Sequence, residues 1–195
     1  MRKIIVFPMI IVNGPPGAGK STLALKLADE LQLPLLMRDQ IKEILFDTLG
    51  WKDRQWSMKL GGASYELLFH QLESQLKAKN SVIVDSPFLP ERHTERFLAL
   101  KEKYGFEPIQ IYCNGDPEIL FERFHQRAPS GERHPGHVDH LGTRAQFLQT
   151  LSEGKVGRLN IGGTFVNVDT TNTNWTEPEN LRKVLEVIQA KLAAS

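Results

Sequence analysis

The sequence predicts a doubly wound α/β fold, a parallel five-stranded sheet with helices on both faces, in one domain spanning residues 1–195. Three observations carry this. Short apolar runs alternate with helical patterns along most of the chain. The stretch Gly14-Pro15-Pro16-Gly17-Ala18-Gly19-Lys20-Ser21-Thr22 fits G-x-x-x-x-G-K-[ST] at every fixed position and lies between an apolar run and a helical pattern. Polar residues (Asn13, Arg38-Asp39, Asp85, Asn114 and Asp169) fall at the ends of the expected strands, where open α/β sheets place their sites.

The first strand is expected over Met9–Asn13. Pro8 cannot donate to a ladder, so the residues before it read as an extended lead-in. Leu23, Leu27 and Leu31, with Ala24 and Ala28 alongside, mark a helix from about Lys20 to Leu31, and Pro34 closes that region. Leu35–Met37 reads as a short buried strand, and Asp39 stands where it would cap a helix over Gln40–Leu49. Gly50–Ser57 reads as a loop. A long helix follows over about Leu60–Lys79, in which Gly61-Gly62 either weakens the start or lets a ligand approach the backbone. Val82–Val84 is a strand ending at Asp85. Pro90 starts a helix to Lys103, and Gly105 stops it. Ile109–Cys113 is a strand, and Pro117 opens a helix to about Arg127. Ala128–Gly142, rich in proline, glycine and histidine, breaks the rhythm and is expected to form a small mobile lid. A helix over Thr143–Ser152, a strand over Thr164–Val168 and an amphipathic helix over Glu177–Ala193 complete the order.

Composition narrows the function. Hydrophobic residues make up 41% and charged residues 24%, ordinary for a water-exposed globular chain. A net charge of +1 gives no support for an extended nucleic-acid surface. The single Cys113 excludes an internal disulfide and fits a reducing compartment. No apolar stretch reaches membrane-spanning length. Arg2-Lys3 before Ile4–Val12 imitates a leader, but cleavage would remove the strand that the glycine loop needs, so a cytoplasmic location is expected.

The loop chemistry points to a nucleoside triphosphate. Inward-turned N–H groups from Gly14, Pro16-flanked Gly17, Ala18 and Gly19 make an anion nest, and the helix N-terminus adds partial positive charge. Lys20 would reach the β- and γ-phosphates and Ser21 would ligate Mg²⁺. Asp39 could accept the proton of an attacking hydroxyl, or only cap its helix. Asp85, after an apolar strand, could hold the ion, anchor Arg38 or Lys42, or serve a turn. Arg123 and Arg127, one turn apart, could neutralise the transferring phosphoryl group or lie on a solvated face. His134, His137 and His140 suggest a metal weakly; contact with the acceptor by His134 and His137 fits better, with binding that varies near pH 6.5. Arg133 would close onto the phosphates with the lid.

These residues resemble the P-loop kinases related to polynucleotide 5′-kinase and chloramphenicol phosphotransferase, of the nucleoside-kinase-like class. The similarity runs from Met9 to about Arg127. Gly14 to Thr22 looks like their nucleotide loop, and Arg38-Asp39-Gln40-Ile41-Lys42 looks like their R-D-x-x-R segment, with Lys42 in place of a substrate-binding arginine. Val84-Asp85-Ser86 with Pro90-Glu91-Arg92 is similar to the second acidic segment, and Arg123 and Arg127 resemble the lid arginines. The resemblance implies Mg²⁺- and ATP-dependent phosphorylation of a hydroxyl on a small molecule or nucleotide, with Asp39 as base. Competing expectations are a polynucleotide 5′-kinase, a nucleotide-binding switch with slow hydrolysis, and a toxin-like kinase acting on a nucleotide sugar.

Overall fold

The computed structural model describes residues 7–127, 133–138, 143–172 and 176–193. Five strands form one parallel sheet: β1 (Pro8–Asn13), β2 (Leu35–Met37), β3 (Val82–Asp85), β4 (Glu107–Asn114) and β5 (Thr164–Asp169), in the order β2-β3-β1-β4-β5. Seven helices are described: α1 (Lys20–Leu31), α2 (Arg38–Leu49), α3 (Arg54–Lys77), α4 (Pro90–Tyr104), α5 (Pro117–Arg127), α6 (Arg144–Ser152) and α7 (Pro178–Ala193).

β1 lies mid-sheet and is buried along its whole length. Its period of two splits it between the two faces. Met9 and Ile11 pack with Leu68, Leu72, Phe88 and Phe97, under α3 and α4. Ile10 and Val12 pack with Leu23, Leu27, Leu120 and Ile188, under α1, α5 and α7. Cys113 is a buried member of this second cluster, as a small apolar residue would be. Both faces being covered explains why the strands read as continuous apolar runs.

Several boundaries differ from expectation for local physical reasons. Pro8 belongs to β1: it pairs with Glu107, whereas pairing with β3 begins only at Met9, so the missing N–H falls at the strand's first position. Asp39 does not cap α2. The helix starts two residues earlier, Met37 occupies the cap position without a side-chain bond, and Asp39 sits inside the first turn. Helix α3 begins at Arg54, because the Asp53 carboxylate accepts from the Trp56 N–H; Gly50–Ser57 is therefore a loop only in its first half. The backbone of Gly61 is approached by Arg38 and Lys42. A Cβ there would stand 3.1 Å from the Arg38 guanidinium, so its bare backbone makes room for Arg38. Gly105 ends α4 at φ 70°, with its N–H on the Lys101 carbonyl. Of the expected lid, Arg133–Val138 is described and holds a 3₁₀ turn, Pro135–His137; the remainder, His140 included, lies outside the described residues.

Candidate active site

The turn from β1 to α1 cannot be built without glycine at two places. Gly14 has φ 144°, and a Cβ on it would meet the Cys113 carbonyl oxygen at 2.1 Å. Gly17 has φ 78°, and a Cβ would meet the Leu120 carbonyl oxygen at 2.2 Å. The loop is thus pressed onto β4 and α5. Asn13 pins its start from the other side. Its buried Oδ1 accepts from the N–H of Gly14 at 2.7 Å and of Phe88 at 2.8 Å, and its Nδ2 donates to the carbonyls of Phe88 and Gly157. One side chain therefore ties the glycine loop to the segment after β3 and to the approach to β5, so each polar atom of the buried amide is satisfied.

A cavity of about 180 Å³ opens beyond these strand ends. Gly17, Gly19, Lys20, Ser21 and Thr22 line one side; Arg38, Asp39, Asp85, Arg127 and Arg133 line the other. Pro15 and Ala18 stay behind the loop in the buried layer, and Pro16 faces the cavity. Lys20 is half-buried with its Nζ on the Pro15 carbonyl at 2.8 Å. Burial lowers its pKa from the usual lysine value, and the nearby Asp85 and Asp39 carboxylates oppose that shift.

Ser21 Oγ donates to Asp85 Oδ2 at 2.6 Å. Asp85 is 4% exposed, and its Oδ1 has no hydrogen-bond partner among the described residues. Burial raises its pKa to about 6, against the pull of Lys20 and Ser21. A hydroxyl beside a buried carboxylate with an unused oxygen fits a magnesium ion, which favours oxygen ligands and few protein contacts. Without an ion the charge is costly, and this can be measured. A folded-state pKa above the unfolded value means the stabilising contribution is full below about pH 4 and lost as pH rises through about 6. Asp85→Asn should therefore stabilise the metal-free protein at pH 8 by about 2 kcal/mol, with the advantage fading as pH falls through 6. Chemical denaturation across pH checks this; a variant less stable than wild type at pH 8 would contradict it.

Asp39 is held by two arginines. Arg38 donates to Oδ1 at 2.9 Å and Arg133 to Oδ2 at 2.7 Å. Burial acts to raise its pKa, but Arg133 and Arg38, with His137 behind them, more than offset this and hold the carboxyl well below the usual range. Arg38 is itself fixed: its Nε donates to Ser64 Oγ and its guanidinium lies 4.8 Å over the Tyr65 ring. Arg133 also donates to His137 Nδ1 at 3.1 Å, so His137 Nε2 carries the proton and donates to Glu43 at 3.0 Å. That tautomer is neutral, in keeping with a pKa lowered to about 3 by burial and by Arg133. The expected titration of His137 near pH 6.5 is therefore corrected.

The structure brings Lys20, Ser21, Arg38, Asp39, Asp85, Arg127 and Arg133 to one cavity, and it sets four other candidates apart. Arg123 does not line the cavity; it donates to the carbonyls of Thr170 and Thr171 and moors α5 to the end of β5. Lys42 is buried, donates to Ser57 Oγ at 2.9 Å and lines a neighbouring cavity, as does His137. His134 turns away to Asp47 and stacks on Phe46 at 5.0 Å. It faces neither cavity. Sequence reasoning quoted Ser86 only as part of the Val84-Asp85-Ser86 segment and did not single out Pro87 or Phe124 on the cavity wall, nor Glu43 and Tyr65 behind it. Glu43 had a signal, since it stands four residues from Asp39 on the same helical face; Tyr65 had none.

A glycine loop at the first strand–helix turn of a 2-3-1-4-5 parallel sheet, opening on a cluster of cations and two carboxylates, defines the class as a P-loop kinase. Within that class, the family model for an AAA domain, AAA_33, matches residues 9–152, and the chain belongs to this family. A protein described as a kinase from Chloroflexus aurantiacus J-10-fl superposes with a TM-score of 0.86 at 36% identity, covering 95% of this chain and 98% of that one. An adenylate kinase of Xanthomonas oryzae pv. oryzae (strain MAFF 311018) is 24% identical over 184 residues, 90% of this chain and 98% of the relative. A shikimate kinase from Bacteroides thetaiotaomicron shares the fold, with a TM-score of 0.58 at 15% identity over 94% of this chain and 98% of that one. No helix among the described residues is long and apolar enough to cross a membrane.

Proposed function

We propose that this P-loop kinase transfers the γ-phosphate of ATP to a hydroxyl of a small molecule or nucleotide, with Asp39 as the group that takes the hydroxyl proton. The observation that carries this reading is the position of the Asp39 carboxylate. It lies in the same cavity as Lys20 and Ser21, between two arginines suited to phosphate.

The reaction places distinct demands on each group. The acceptor oxygen forms a bond to the γ-phosphorus while the bond to the bridging oxygen breaks, and that electron pair leaves with ADP. Lys20 exchanges the Pro15 carbonyl for phosphate oxygens, and Arg127 faces the same space. Ser21 and Asp85 are the residues that would hold magnesium, which when bound neutralises charge on the phosphates. Arg133 has a choice of anions. While it holds Asp39, the carboxylate is a poor base. An incoming triphosphate competes for Arg133, and a carboxylate left with Arg38 alone regains basicity when the acceptor arrives. Binding and activation of the base are thereby coupled.

The resemblance to polynucleotide 5′-kinase and chloramphenicol phosphotransferase belongs to this reading as support for a hydroxyl acceptor. The test is transfer of radiolabelled γ-phosphate across nucleosides, nucleoside monophosphates, sugars, hydroxy acids and short oligonucleotides, with the product bond located by NMR. A phosphate monoester is expected. A new phosphoanhydride would replace the hydroxyl reading with phosphate acceptance, and ATP hydrolysis with every compound inert would favour a nucleotide switch.

A further inference from the structure

A second cavity, of about 310 Å³, adjoins the first and shares Pro16 and Phe124 with it. Its wall is divided. Met58, Phe124, Val138, Phe147 and Leu151 supply apolar surface, with the Phe124 and Phe147 rings 5.2 Å apart. Lys42 and Arg54 supply positive charge. Ser57, Thr143, Gln146 and Thr150 are neutral, and no carboxylate lines the cavity among the described residues. Both ring nitrogens of His137 are engaged, by Arg133 and Glu43, so it contributes wall and not a ligand-binding atom.

We propose that this cavity selects an acceptor that carries an anionic group on a partly apolar, ring-sized body, with the anion at Arg54 and Lys42 and the reacting hydroxyl directed toward Asp39. The inference rests on the kinase reading above for the last clause only. Neutral polyols need a dense set of acceptors for their hydroxyl protons, and this wall offers few. Cationic acceptors meet the positive charge of Lys42 and Arg54, and no carboxylate lines the cavity among the described residues. Arg54 is the clearest sign. It opens α3, is exposed, and has no hydrogen bond or ion pair with any described residue. A guanidinium at the mouth of an apolar cavity, not neutralised by any described residue, suits a carboxylate or phosphate. The volume lies at the lower end of the range for small-molecule sites, which favours a compact body.

Matched probes test this on the full chain with ADP present. The set is 4-(hydroxymethyl)benzoate, its methyl ester, 4-(hydroxymethyl)benzylphosphonate and 4-(hydroxymethyl)benzylamine. Affinity is read by ligand-observed NMR for the wild type and for Arg54→Gln. Both anions are expected to bind about tenfold more tightly than the ester, the amine most weakly, and Arg54→Gln should remove most of the difference. Comparison of the two anions shows whether carboxylate or phosphate chemistry fits better. Equal binding of ester and acids, tighter binding of the amine, or anion preference that survives Arg54→Gln would overturn the proposal. Binding is read without ATP turnover, so these outcomes stand apart from the kinase reading. That reading fails separately if anion-selective binding is present but no hydroxyl compound receives phosphate.

Discussion

Asp39→Asn is expected to reduce phosphoryl transfer by roughly a hundredfold or more while leaving ATP affinity equal to or tighter than wild type. The amide keeps the shape and one acceptor oxygen but cannot take the proton. Tighter nucleotide binding has a specific source: Arg133 no longer spends its strongest contact on a carboxylate and is available to the triphosphate. The fold should lose only about 1–2 kcal/mol at neutral pH, since the amide oxygen would still accept from Arg38 or Arg133. The pH dependence follows from the depressed pKa. Such a group stabilises the protein fully above its unfolded value near 4, and the contribution is lost as pH falls through the folded value, so acid sensitivity below pH 4 should be weaker in the variant. Parallel measurements of ATP binding by calorimetry and of single-turnover transfer decide the matter. Equal losses in both would make Asp39 structural.

Removal of the loop lysine should be at least as costly to turnover. Lys20→Ala deletes the cation that the proposed reaction brings onto the phosphates, an effect of roughly 3 kcal/mol on the transition state, on the order of a hundredfold in rate. The structure adds a consequence for the neighbouring carboxylate. Lys20 is the main group lowering the Asp85 pKa, so its loss should push Asp85 further toward the neutral acid. Activity that remains in the variant should therefore depend on pH more steeply around neutrality than wild type. Folding is expected to survive, because the Nζ contact to Pro15 is at a half-buried site. Undiminished turnover in Lys20→Ala would remove this cavity as the site of chemistry.

The sheet and the glycine loop were readable because both depend on local pattern. Apolar runs in β1, β3 and β4 are buried on two faces, and the loop's glycines answer to steric limits that act over a few residues. The side-chain partners were less readable. Arg123 and Arg127 share a helical face, yet Arg123 reaches Thr170 and Thr171 on the flank of β5, a contact across 47 residues that no periodicity reports. The same holds for Asn13, whose four bonds join segments up to 144 residues apart. His134 and His137 looked like a pair by spacing, but the 3₁₀ turn separates their directions, one toward Asp47 and one toward Arg133 and Glu43. Asp39 was legible as a carboxylate at a strand end and misread as a cap, because the cap depends on where α2 begins, and it begins two residues earlier than the pattern suggests.

Among the described residues, the first cavity is lined by four cationic side chains, Lys20, Arg38, Arg127 and Arg133, and two anionic ones, Asp39 and Asp85. Such a lining behaves like a small ion exchanger with a fixed positive surplus. Simple oxyanions in the medium compete for it before any nucleotide arrives. Inorganic phosphate or sulfate should raise the apparent Km for ATP without lowering the maximal rate, and more strongly than chloride at equal ionic strength. The choice of buffer is thus a variable of the enzyme, and nucleotide affinities measured in phosphate buffer will read weaker than those measured in zwitterionic buffer.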